Sequence, residues 1–106
     1  MVSEDTLREV VKRLVVAAKP SKVILFGSYG RGTATEASDL DLMVIEPEVA
    51  DVGEEMVRLH RAAGAVDAGL DILVYSEEEA SRRSQVPGTV VYWAFKEGKV
   101  VYDAQR

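Results

Sequence analysis

The run Val23-Ile24-Leu25-Phe26-Gly27-Ser28-Tyr29-Gly30-Arg31-Gly32, followed by Asp39-Leu40-Asp41-Leu42-Met43-Val44-Ile45, decides how this chain folds. Val23 to Phe26 is short, apolar and β-prone, and it stops against Gly27 and Ser28, which predicts a buried strand leading into a glycine-bearing loop over 27–38. Asp39 to Ile45 alternates at its start and is apolar at its end, the pattern of a second strand entering a core, closed by Pro47. On such a strand Asp39 and Asp41 project from the same face, about 7 Å apart along the backbone. Carboxylates brought to about 4 Å of each other repel by about 4 kcal/mol at an effective dielectric of about 20, and a divalent cation turns that repulsion into binding. Hard oxygen donors of this kind suit Mg²⁺, which keeps some waters and completes its shell with phosphate oxygens. Aspartates that merely cap a turn at a solvated strand start share the spacing, so the neighbouring loop has to discriminate.

In that loop, glycines let backbone N–H groups approach a ligand, and a helical turn after it would aim its positive end at phosphate. Gly27, Gly30 and Gly32 form GxxGxG. This is neither a Walker A loop, since the GK[ST] ending is absent, nor the GxGxxG of a dinucleotide site. Ser28 adds a hydroxyl donor. Arg31 offers a planar fork that suits oxyanions, although loop arginines are often simply solvated. Ser38 is placed to stabilise the turn before Asp39 through a local side-chain bond, with contact to a substrate as the alternative. A glycine cluster alone marks a turn more often than a binding loop; its spacing to the aspartates gives it weight.

Outward from this centre, helical and extended patterns alternate. Leu7, Val10, Val11, Leu14 and Ala18 fall at helical spacing behind Ser3 as N-cap, so a first helix should end before Pro20. Val52, Met56, Leu59 and Ala63 mark one face of a second helix between Asp51 and Gly64. Leu70 to Tyr75 reads as a third strand, and Ser76 with Glu79 has the form of a capping box opening a third helix. Pro87 interrupts it, Val90, Val91, Ala94 and Phe95 resume the spacing, and Gly98 suits a C′ position before Val100-Val101-Tyr102, a short edge strand. The alternation predicts an α/β (α+β) fold: one small mixed sheet with helices mainly on one face, as a single domain over residues 1–106.

Composition narrows the function classes. The 106 residues are 47% hydrophobic and 29% charged, enough for one packed core and unlike a disordered chain. With 13 basic against 18 acidic residues the protein repels a phosphate backbone, which argues against long nucleic acid as a partner. No apolar run approaches the roughly 20 residues of a membrane span, and the acidic start lacks a signal-peptide core, so a cytoplasmic location is expected. Without cysteine, any metal must sit on oxygen or imidazole. His60 has no second histidine to pair with and is read as a packing residue on the second helix. Tyr92, Trp93 and Phe95 suit a helical core or a partner surface, and aromatic spacing alone makes no base-stacking platform.

The stretch FGSYGRGTATEASDLDLMVI, residues 26–45, resembles the signature of the DNA polymerase β-like nucleotidyltransferases: a Gly-Ser pair followed after ten residues by Asp-apolar-Asp-apolar. GSYGRG with SDLDL, the short length and the ending VYWAFKEGKVVYD further resemble the minimal nucleotidyltransferases found beside a HEPN-domain partner. The resemblance spans nearly the whole chain. It implies a polymerase β-like fold, an NTP substrate (ATP by preference), two Mg²⁺ ions on Asp39 and Asp41, and triphosphate binding by Gly27 and Ser28. It also implies a third carboxylate on a neighbouring strand. Asp67 and Asp71 both precede the apolar run Ile72-Leu73-Val74, and Asp71, which abuts it, is the better placed to bind metal and take the proton of an attacking hydroxyl. Three functions remain open: adenylylation of a HEPN toxin by its antitoxin, neutralisation of that partner by contact alone, and transfer to a small hydroxylated metabolite. A homo-oligomer is compatible with each.

Overall fold

The structure is a computed structural model that describes residues 1–105. The elements run α1 (Glu4–Ala18), β1 (Lys22–Phe26), α2 (Gly27–Arg31), β2 (Leu40–Glu46), α3 (Val52–Ala63), β3 (Leu70–Ser76), α4 (Glu77–Ser84), α5 (Val90–Glu97) and β4 (Lys99–Asp103). One sheet has the order β3-β2-β1-β4. β2 and β3 are parallel and joined through α3, while β1 pairs antiparallel with both β2 and β4. The sheet is thus mixed, as the alternation predicts.

Local chemistry sets most boundaries. Ser3 caps α1 by accepting from the Thr6 N–H, and Lys19 leaves the helix in a left-handed conformation just before Pro20. Asp51 accepts from the Glu54 N–H at the start of α3. Ser76 caps α4 by accepting from the Glu79 N–H at 3.2 Å, but the Glu79 carboxylate turns to Arg82 and Arg83 instead of back to the Ser76 N–H, so only the serine half of the expected capping box forms. Two further features differ from the sequence expectation. The helix resumed after Pro87 starts on a cap of its own, Thr89, whose hydroxyl accepts from the Tyr92 N–H. Gly98 follows it in an extended conformation, not the left-handed one of a C′ glycine. Lack of space explains the glycine: a Cβ at 98 would run into the Ala94 carbonyl oxygen and lie 2.8 Å from both Ile24 Cγ2 and the Leu25 carbonyl oxygen.

Strand alternation sorts the core into two sides. On one, Val10 and Leu14 of α1 and Leu59 and Ala63 of α3 pack on Val23, Leu25, Leu42, Val44, Ile72 and Val74. The two longest helices therefore share one face, in line with the expectation. On the other, the shorter α4 and α5 place Ala80, Val91 and Ala94 against Ile24, Met43 and Ile45. No helix among the described residues is long and apolar enough to cross a membrane.

Candidate functional site

Asp41 and Asp71 have the strand parity of Met43, Ile45 and Leu73, so both carboxylates face the α4/α5 side of the sheet. They lie at the starts of β2 and β3, beyond the reach of the apolar contacts those helices make. Asp41 stands directly opposite Asp71 in the parallel register, and opposite Phe26 in the antiparallel one. Phe26 is the last residue of β1, so the chain turns into α2 beside Asp41. Asp39 is not on the strand as expected; it precedes β2, which begins at Leu40. The strand is pinned at this point by the Leu40 N–H, which donates to the Gly69 carbonyl at 2.8 Å.

Two glycines make room for the acids. Gly27 has φ +65°, and a side chain there would run into the Asp41 carboxylate, with Cγ 3.1 Å from the added Cβ. A Cβ at Gly69 would lie 2.7 Å from Asp39 Cγ, so the Asp39 carboxylate rests on bare backbone. Gly69 has no signal in the sequence reading beyond standing two positions before Asp71. The expected loop after β1 is helical from its first residue: α2 starts at Gly27 without a side-chain cap, leaving its first amides to an outside acceptor.

Partial burial pushes the Asp41 carboxyl up to about 6, helped by a shared hydrogen bond and repulsion from Asp71 and by repulsion from Asp39, and opposed by the Arg31 guanidinium. Among the described residues no three acidic or imidazole groups are already drawn tightly enough together to cage an ion. Asp41 and Asp71 meet, and Asp39 stands next to them against Gly69. Asp67 lies in the exposed bend before β3, off the strand.

The remaining sequence candidates are placed as follows. Ser28 sits in the single turn of α2, and its carbonyl accepts from the Thr33 N–H at 2.9 Å, closing that turn. Ser38 Oγ accepts from the Thr35 N–H at 2.9 Å, which is the local turn role. Arg31 reaches across to Glu97 of α5 at 3.9 Å. His60 contacts the Leu70 carbonyl through Nε2 at 3.1 Å and ties α3 to β3. Phe26 and Trp93, neither of them a site candidate from the sequence, line a cavity of about 440 Å³ next to Gly27.

A second acidic group lies at the other end of β2. Glu46 is buried, and Oε2 has no hydrogen-bond partner. Burial and the adjoining Glu55 carboxylate push it up to about 7, while Arg58, held by Glu55 and the Ala17 carbonyl, opposes. A proton on Glu46, donated to Glu55, satisfies the orphaned atom. This group braces β2 against α3 and α1 and is remote along the strand from Asp41.

The description Nucleotidyltransferase domain matches residues 4–104. A protein of Methanocaldococcus jannaschii named "Putative protein adenylyltransferase" is 31% identical over 110 residues, covering 96% of this chain and all of the relative. Among solved structures, a "putative nucleotidyltransferase" from Sulfolobus solfataricus shares the fold with a TM-score of 0.56 at 17% identity, over 98% of this chain and 92% of the other. A structure described as a toxin-antitoxin with AMP-PNP shares it with a TM-score of 0.67 at 24% identity, over 92% of this chain and 73% of that one. With the match running almost end to end and a relative 31% identical over its whole length, the chain belongs to the nucleotidyltransferase domain family.

Proposed function

We propose that this nucleotidyltransferase moves AMP from ATP to a hydroxyl group on a HEPN-domain toxin and so acts as its antitoxin. The observation that carries the reading is the pairing of Asp41 with Asp71 at two adjacent strand starts, with Asp39 next to them and the opening of α2 beside them. The name of the 31% identical relative supports a protein acceptor, and the toxin-antitoxin fold neighbour with AMP-PNP supports the donor and the partner class.

The donor set fits Mg²⁺: three hard carboxylates and no cysteine anywhere in the chain. Asp39 and Asp41 would hold two ions, with Asp71 completing the site at one of them. Bound there, Mg²⁺ supplies positive charge to the triphosphate and to the departing pyrophosphate. Gly27 lets the triphosphate approach the backbone, while Ser28 and Arg31 offer it donors. Asp71 takes the proton of the attacking hydroxyl as its oxygen bonds to the α-phosphorus; the bond from that phosphorus to the β-phosphate oxygen breaks, and pyrophosphate leaves.

Calorimetric titration of ATP with Mg²⁺ against wild type and a folded Asp39→Ala/Asp41→Ala variant tests the site. Metal-dependent binding lost in the variant supports it. A toxicity assay with Asp41→Ala then separates catalysis from contact. Loss of neutralisation with the complex still formed supports transfer, whereas full neutralisation would leave only a contact antitoxin. Turnover on small hydroxylated acceptors without any partner points to a metabolite enzyme.

A further inference from the structure

The cavity beside Gly27 is a slot between α2 and α5. Along α5, Val90, Trp93 and Glu97 recur at helical spacing and form one wall; Phe26, Gly27 and Arg31 form the other. Its volume of about 440 Å³ lies within the range of small-molecule sites, and its make-up is theirs too: apolar and aromatic walls with a few polar groups at the rim. Trp93 is 46% exposed, so neither core packing nor a neighbouring helix accounts for it.

The geometry points to this slot as the seat of the nucleobase of the NTP, with Trp93 and Phe26 as its stacking walls, and thus as a specificity site of the transferase. The inference rests on the nucleotide-binding reading above. Phe26 has the strand parity of Ile24, so it lies on the same sheet face as Asp41, its register partner. Gly27 and Arg31 belong to both the slot and the proposed phosphate loop. A ligand whose phosphates lie along Gly27 and Asp41 therefore has its remaining bulk at the mouth of the slot. A planar heterocycle with a polar edge matches flat apolar walls ending in one acid and one base. Arg31 and Glu97 bridge the slot at 3.9 Å, and a half-exposed pair at that distance parts at little cost. The sequence offers a helical core or a partner surface for Trp93; the shared residues give it a nearer ligand.

Trp93 is the single tryptophan of the chain, so tryptophan fluorescence reads the wall of the slot without a contribution from any other position. ATP with Mg²⁺ should change that emission, and Mg²⁺ with tripolyphosphate, which lacks a base, should bind without doing so. By calorimetry, Trp93→Ala should weaken ATP roughly tenfold to a hundredfold, the loss expected for one base stack, and leave tripolyphosphate within about twofold. Trp93→Phe should recover most of the ATP affinity. ATP that binds with Mg²⁺ but leaves Trp93 emission unchanged, and binds Trp93→Ala as tightly as wild type, overturns the assignment and leaves the slot to an apolar side chain of a partner. Failure of wild type to bind either ATP or tripolyphosphate overturns the nucleotide reading itself, and the slot assignment falls with it.

Discussion

Replacing Asp41 with asparagine should make the metal-free protein more stable while removing its response to Mg²⁺. The Asp41 carboxyl is pushed from 3.8 to about 6, first by burial and then by Asp71 and Asp39. A rise of that size corresponds to about 3 kcal/mol when fully expressed. Because the carboxylate is partly exposed, solvent screening reduces this to about 1–2 kcal/mol. The sign follows from linkage: a raised acid favours the folded state fully below pH 3.8, and that contribution is lost as pH rises through about 6. At pH 8 wild type therefore carries the whole cost of an ionised Asp41. Asparagine keeps the shape, carries no charge and donates its amide to Asp71. In chelator at pH 8, Asp41→Asn should melt higher by roughly 5–10 °C, given about 4–8 °C per kcal/mol for a domain of about this size. The gap should close as pH falls towards 4. Millimolar Mg²⁺ with ATP should raise the wild-type midpoint and leave that of the variant in place. Melting scans across pH, with and without metal, read all of this. A variant that melts below wild type at pH 8 in chelator, or a gap that does not change with pH, would refute the electrostatic account.

Gly27→Ala should weaken Mg²⁺-dependent ATP binding at least tenfold by calorimetry, since φ is +65° and the new Cβ collides with the Asp41 carboxylate. Gly32→Ala, with φ +77° and open space around it, should cost only the left-handed strain of about 1–2 kcal/mol and leave binding intact. Asp71→Asn should abolish nucleotidyl transfer in an acceptor-labelling assay, and Asp67→Asn should retain it, because only Asp71 lies in register with Asp41. Glu46→Gln should stabilise the protein by about 1–2 kcal/mol at pH 8 in urea titrations, since ionising the buried Glu46, pushed up to about 7, costs stability as pH rises through that value. The advantage should vanish below pH 4.5, where the wild-type Glu46 is protonated whether folded or not.

The fold was legible where a period or a cap writes itself into neighbouring residues. Helix α1 needs only its apolar spacing, Ser3 and Pro20, and the start of α4 needs only Ser76. The strand order β3-β2-β1-β4 depends on which apolar edges pair, and no local residue records it. Gly98 shows the limit of local rules. Its position after a helix suggests a left-handed cap, yet the glycine is required by a lack of room that comes partly from the Ala94 carbonyl of its own helix and partly from Ile24 and Leu25, distant in sequence but in contact in the fold.

The acids of the site were legible for a related reason: Asp39 and Asp41 are close in sequence as well as in space. Asp71 stood out from Asp67 in the sequence because it abuts the apolar run of the third strand, while its position opposite Asp41 depends on the parallel pairing of β2 with β3. Gly69 and Phe26 could not be found at all, because each matters only through a carboxylate or a slot brought to it by another strand. That asymmetry bears on how the site was assembled. Every element that reaches it does so with an end, not a middle: the end of β1, the start of α2, and the starts of β2 and β3. Strand ends tolerate the repulsion among three carboxylates because the apolar rows behind them, Met43 with Ile45 and Ile72 with Val74, hold the register without help from the acids. A site built this way can be destabilised locally, as the raised Asp41 shows, without loosening the sheet. A cation held there, as proposed, would offset at the strand ends the repulsion that the sheet alone leaves unfavourable.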